Sequence, residues 1–382
     1  MQRMFILTAL LAAALASSVC AQPGAQGGAL KQPDLIATLK GHRETVKYVR
    51  FSPDGTQLVS QAADQVLLWH IPTKKSTVVL STSVMAPARF TPDGKQIILE
   101  YLGKEAQLYD IATGKLRTIE SDPANTGGFS DDGLARIEFT ESGAKLHKLT
   151  KPYDPTSAQK TQAVDAPYPS RLMREFTGIA PFNLQGTTLA VKGADRDIQL
   201  WQVDSGKRIA VLKDSQGLWY TFSPDGKLLA AECGVYNPGA GLMPTLKGHS
   251  FRIYDVATGR PRAVLVTQEH HALLPGPVFS ADGRLICGGS NASIQVWNTA
   301  TGKVVATMEK SGGHFGQIAF RKDGRMVAAT VFSESSVLIW NAATGKRTHT
   351  VASPTCKPDF SPDGQTLAVG TGRGEIQLLR PR

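Results

Sequence analysis

The sequence predicts an all-β fold: a single β-propeller of eight four-stranded blades, its ring closed by an N-terminal strand that completes the last blade. Three observations predict it. An aromatic-turn motif recurs eight times at regular spacing. Each recurrence is followed by short alternating segments of strand length. Gly and Pro are also too frequent, at 37 and 22 of 382 residues, to leave room for long uninterrupted helices.

In chain order, residues 1–21 read as a signal peptide. Arg3 supplies a positive start, Phe5 to Ala16 is a twelve-residue, nearly all-apolar run, and Val19-Cys20-Ala21 precedes Gln22. Such a segment is too short and wrongly flanked for a spanning helix, and no later run approaches the roughly 18 apolar residues one needs. Cleavage after Ala21 and a secreted or periplasmic protein are expected. Lipidation at Cys20 is the alternative, against which the bulk of Val19 counts. Residues 22–34 are expected to be a flexible N-terminal segment, and residues 35–382 the propeller.

The repeat begins with Phe51-Ser-Pro-Asp-Gly55 and returns at Phe90, Phe129, Phe182, Phe222, Phe279, Phe320 and Phe360. The spacings are 39, 39, 53, 40, 57, 41 and 40 residues. Pro pre-sets φ, Asp bonds the local backbone and Gly takes a positive φ, so each motif is a strand ending in a tight turn. A β-rich run follows, then an alternating strand that usually ends on an aromatic residue, as at Trp69, Tyr109, Trp201, Tyr254, Trp297 and Trp340. A second turn comes next, as in Ala112-Thr-Gly-Lys115 and Ala300-Thr-Gly-Lys303, and a further apolar strand closes the unit. Four short strands in roughly 43 residues make one blade. The last unit has room for only three, and Leu35-Ile-Ala-Thr-Leu39 supplies the fourth, hiding an otherwise exposed edge. Seven blades is the fallback, should the unit from Phe129 to Thr150 not form a full blade.

This pattern resembles the WD40 repeat family across essentially the whole chain after residue 21. The family's Trp-Asp pair is loosened to Trp69-His70, Tyr109-Asp110, Trp201-Gln202, Tyr254-Asp255, Trp297-Asn298 and Trp340-Asn341. Its Gly-His pair stands at Gly41-His42 and Gly313-His314. Gly248-His249 is set aside because it directly precedes the third strand of its blade. The resemblance implies a structural network in which His42, Asp64 and Trp69 come together once, while Asp195 with Trp201, Asn291 with Trp297, and His314 and Trp340 retain parts of it. These residues are structural rather than catalytic, since half-buried polar groups need mutual satisfaction.

The Asp-Gly and Thr-Gly-Lys turns share one face of such a ring, so irregular insertions fall on the opposite face or between blades. Residues 151–174, with four prolines and Tyr168, Arg171 and Arg174, account for the spacing of 53. Residues 234–249 lengthen blade five between its second and third strands. Residues 268–277 lie between blades five and six. Tyr236, Asn237, His249, His270 and His271 are therefore expected on one partner-binding rim, with Tyr168, Arg171 and Arg174 as further partner contacts.

The resemblance implies a non-catalytic interaction scaffold with a protein or peptide partner and no cofactor. The alternative is an exported propeller enzyme, either like the quinoprotein dehydrogenases or a hydrolase. Quinoprotein dehydrogenases carry a Trp three residues after the Lys of the repeated turn. Here those positions are Thr118, Ala210, Ala263, Ala306 and His349. No Gly-x-Ser-x-Gly elbow or zincin motif is present, and adjacent histidines such as His270 and His271 diverge rather than share a metal. Arg3 is the only charge in the removed segment, so the formal charge falls from +10 to +9. A positive balance favours an acidic partner surface, but the basic residues are scattered with no Lys/Arg block, which points to an ordinary solvated surface. Export and the lack of basic aromatic platforms count against nucleic acid. A monomer is expected. Cys233, Cys287 and Cys356 remain, an odd number in apolar strand-like segments, so buried free thiols are expected, with a Cys233–Cys287 pair as the alternative.

Overall fold

The structure, a computed structural model, describes residues 32–81, 87–91, 93–99, 107–118, 126–129, 135–140, 143–148, 160–164, 183, 187–192, 197–215, 219–237, 245–266, 276–289, 293–308, 315–331, 334–352 and 356–382. Only the backbone is described at 126–164, 192, 234–237 and 245–249. Among the described residues there is no helix, and the strands form eight antiparallel sheets.

Blade one shows the plan. Val46–Phe51, Gln57–Ala62, Val66–His70 and Lys75–Leu80 pair in sequence order as a meander. Its motif turn holds together by side-chain chemistry. Ser52 Oγ donates to Asp54 Oδ1 at 2.6 Å and accepts Gln57 N–H at 2.9 Å, and Gly55 sits at φ 75°. Serine donation to the turn aspartate recurs at Ser223, Ser280 and Ser361. Blade seven departs from it: Arg321 replaces the serine and grips Asp323 with two nitrogens, at 2.8 and 2.6 Å.

The second turn explains the loosened aromatic-Asp pair. Asp110 and Asp255 accept backbone N–H groups of the following Thr-Gly turn, at Thr113 and Thr258. Asn298 and Asn341 do the same with their amide oxygens, at Thr301 and Thr344. An acceptor oxygen is all this position requires, so Asn replaces Asp without loss of the bond.

Side chains alternate along a strand, so a sheet packed on both faces feeds two apolar layers. Leu58, Leu67 and Trp69 of blade one pack with Leu39, Ala368 and Ile376 of blade eight, while Val59, Val66 and Leu68 pack with Phe90, Ile97 and Tyr109 of blade two. Comparable clusters join blades four to five, five to six, six to seven and seven to eight. The core is thus distributed between sheets rather than gathered at one centre.

The two ends of the chain share one sheet. Asp34–Lys40 pairs antiparallel with Glu375–Arg380, with Thr38 opposite Gln377 and Leu39 opposite Ile376. That sheet continues through Leu367–Gly370 to Asp359–Phe360.

Three expectations change. The unit after Phe129 forms a four-stranded sheet of Thr126–Phe129, Ala135–Thr140, Gly143–Lys148 and Lys160–Val164, which removes the seven-blade fallback. Part of the stretch read as an insertion at 151–174 is therefore that sheet's fourth strand. The lengthening of blade five is paired strand at 234–237 and 245–249: its central strands run Leu228–Asn237 and Thr245–Asp255. Gly248-His249 accordingly lies inside the third strand and not before it. Blade four shows three strands among the described residues, Thr188–Lys192, Ile198–Gln202 and Arg208–Leu212.

Candidate functional site

The polar network of blade one forms around a residue that the sequence reading missed. Ser60 Oγ lies 2.6 Å from His42 Nε2 and accepts the indole N–H of Trp69 at 2.7 Å. His42 Nδ1 faces Asp64 Oδ1 at 3.5 Å, and Asp64 Oδ2 accepts the Arg43 backbone N–H at 3.2 Å. The His42 side chain is fully buried, and burial lowers its pKa against the attraction of Asp64. The chain Asp64–His42–Ser60–Trp69 ties the loop before the first strand to the second and third strands. His42, Ser60 and Trp69 are buried, and the contacts join elements of one blade.

Register accounts for the Ser60 bridge. Trp69 stands opposite Leu58, and Ser60 is two residues further along that strand. The same position in other blades is Leu99, Val191, Ala231, Gly288, Ala329 or Val369. None carries a hydroxyl. The indole nitrogens of Trp201, Trp297 and Trp340 are buried and have no hydrogen-bond partner among the described residues. Edge-to-face rings stabilise two of them instead, Phe251 on Trp297 at 6.4 Å and Phe315 on Trp340 at 5.7 Å. Asp195, Asn291 and His314 lie outside the described residues. The buried carboxylate of blade four is Asp197, whose oxygens meet Ser215 N–H at 3.3 Å and Lys213 Nζ at 3.3 Å.

Of the expected partner contacts, the structure brings three onto one hairpin. Tyr236 stands opposite Leu246 and Asn237 opposite Thr245, and His249 lies lower on the same third strand. The pairing beyond Cys233 and Ser250 carries four more residues on the second strand. At about 3.3 Å per residue the ladder extends roughly 13 Å past the length of its neighbours. It points away from the Asp-Gly and Thr-Gly turns, because it joins the second strand to the third. Tyr168, Arg171, Arg174, His270 and His271 lie outside the described residues.

All three described thiols, Cys233, Cys287 and Cys356, are free and buried. Burial pushes the Cys356 thiol up to about 12 and raises Cys287 as well, so neither is an activated nucleophile. Among the described residues no His/Cys/Asp/Glu group is arranged to hold a metal ion, and no helix is long and apolar enough to cross a membrane.

Comparison with known proteins follows this geometry. Residues 33–70 match the family model described as WD domain, G-beta repeat, the segment that holds the last-sheet strand and the His42–Trp69 network. Human WD repeat-containing protein 3 is 26% identical over 176 residues, 44% of this chain and 18% of that protein. Rat apoptotic protease-activating factor 1 is 23% identical over 220 residues, covering 51% of this chain and 16% of its own. Protein tipD of Dictyostelium discoideum is 21% identical over 279 residues, 71% of this chain and 42% of tipD. The matched region spans less than half the length of each relative.

Proposed function

We propose that this chain, which carries a WD40 repeat at residues 33–70, is an exported, non-catalytic scaffold that takes a protein or peptide partner on the face opposite its Asp-Gly turns. WD40 repeats generally mediate protein interactions, and one of the relatives above is named a WD repeat-containing protein. The observation that carries the reading is the extended hairpin of blade five. Central strands in the other blades are four to six residues long, whereas these are 10 and 11. We read an added ladder beyond the common strand length as a presenting element, and its backbone pairing holds Tyr236 opposite Leu246 and Asn237 opposite Thr245. Export rests on the charged start, apolar run and small residues of 1–21.

The test is capture. Residues 234–249 are replaced by an Asn-Gly turn joining Cys233 to Ser250, which suits a two-residue hairpin. Pull-down from the exported fraction, with intact and shortened proteins as bait, is expected to lose the partner only in the shortened form, at unchanged Tm. Equal capture by both overturns the assignment. Mass spectrometry of the exported protein is expected to find Gln22 as its first residue, and an intact Met1 contradicts export by cleavage.

A further inference from the structure

Each described first strand has one edge without a strand partner, and from blade six to blade one these strands adjoin. Val278–Phe279 touches Phe315–Phe320, which touches Asp359–Phe360, which touches Val46–Phe51. The residue before the motif phenylalanine stands on this inner edge. In blades five, six and seven it is Thr221, Val278 and Ala319, all uncharged. In blades eight, one and two it is Asp359, Arg50 and Arg89. Lys357, two residues before Asp359, adds another cation to the same arc.

At the seam of blades eight and one these charges do not neutralise one another by contact. Asp359 Oδ2 accepts the edge N–H of Phe51 at 2.8 Å. Burial disfavours its ionisation, against the opposing pull of Arg50. Lys357 is held below its ordinary range by burial first and by the nearby Arg50 charge second. Arg50 is exposed, and Lys357 and Asp359 are half-buried, so the group is open to solvent. Among the described residues neither Arg50 nor Lys357 closes an ion pair or a side-chain hydrogen bond. Two cations that repel each other beside one preoccupied carboxylate are stabilised by a second anion.

We propose that this arc of the inner edge binds one anionic group, a carboxylate or a phosphate, between the Arg50 guanidinium and the Lys357 ammonium. The guanidinium offers a planar fork for two oxygens and the ammonium a point charge, the pairing that suits either group. Asp359 sets the limit on affinity, since its charge competes for the same cations. The site stands apart from the hairpin of blade five, and neither reading depends on the other.

Calorimetric titration of the purified protein with inorganic phosphate and, separately, with acetate tests this at an ionic strength held constant with chloride. Saturable one-to-one binding is expected, and the probe that gives it identifies the group. Arg50→Gln and Lys357→Gln are each expected to weaken it at least tenfold. Asp359→Asn keeps an acceptor for Phe51 N–H while removing the competing charge, so it is expected to tighten binding. Lys47→Gln, on the same strand but outside the pair, is expected to leave it unchanged. Heat that never saturates, or affinities that Arg50→Gln and Lys357→Gln leave intact, overturns the proposal. Should either glutamine variant fail to fold in chloride alone, Asp359→Asn decides, and unchanged or weaker binding there overturns it equally.

Discussion

Ser60 Oγ serves two buried nitrogens at once, accepting the Trp69 indole N–H and pairing with His42 Nε2, and removing that one atom takes this partner from both. Each orphaned group costs about 1–3 kcal/mol, so Ser60→Ala is expected to lower unfolding stability by about 2–4 kcal/mol in urea titration. The converse substitution tests the register argument. Ala329 occupies the matching position below Trp340, whose indole N–H has no acceptor among the described residues. Ala329→Ser is expected to raise stability by about 0.5–1 kcal/mol, and a loss contradicts the equivalence of the two positions. His42 adds a pH signature. Burial lowers its pKa from 6.5, so the unfolded chain binds the proton more readily. Its contribution is complete above pH 6.5 and is lost as the pH falls from there through the lowered folded value. Denaturant midpoints measured across that window are expected to fall with pH, and to flatten in His42→Gln. Below it the turn aspartates Asp54, Asp282 and Asp363 take over, because serine hydroxyls donating to them hold their carboxyls below the usual range. The part played by Ser60 was not visible without register. A serine inside an apolar run carries no mark until the strand opposite places it beneath a tryptophan.

The Asp-Gly and Thr-Gly turns and the aromatic strand ends were legible as elements, because each rests on local chemistry that a few adjacent residues specify. Two elements were not. Residues 234–249 contain Pro238, Pro244 and several glycines, so they read as irregular. Their strand form comes from continuation of a ladder begun between Leu228 and Asp255, a cross-strand cause that local composition does not report. Lys160–Val164 is masked in the same way by prolines on both sides, and only its pairing with Gly143–Lys148 identifies it as a strand. Tight elements also impose their own limits. Gly374 turns the last hairpin at φ 74°, and a Cβ there would strike the carbonyl oxygen of His42 and crowd that of Glu44. Gly374→Ala therefore combines a left-handed backbone with a clash at the seam of blades eight and one. A loss of at least about 2 kcal/mol is expected, read as a lower Tm by calorimetry.

At the scale of the molecule, stability is relayed from sheet to sheet. Each described interface is an apolar layer built by two neighbours, and blade eight exists as a four-stranded sheet only because Asp34–Lys40 crosses from the other end of the chain. That junction also positions the His42 network and the Arg50–Lys357 arc, so the ends of the chain govern both. The spare N-terminal strand foretold the pairing, while its register and its bulge between Leu35 and Ala37 came only from the backbone. Cysteines placed at Thr38 and Gln377, which stand directly opposite, measure the pairing most directly. The native thiols are buried and do not compete. Mild oxidation of the double variant is expected to give a single intramolecular disulfide, seen by mass spectrometry of its digest, with a higher Tm than the reduced form. A pair that stays reduced, or that links only between molecules, contradicts the joining of head and tail in one sheet.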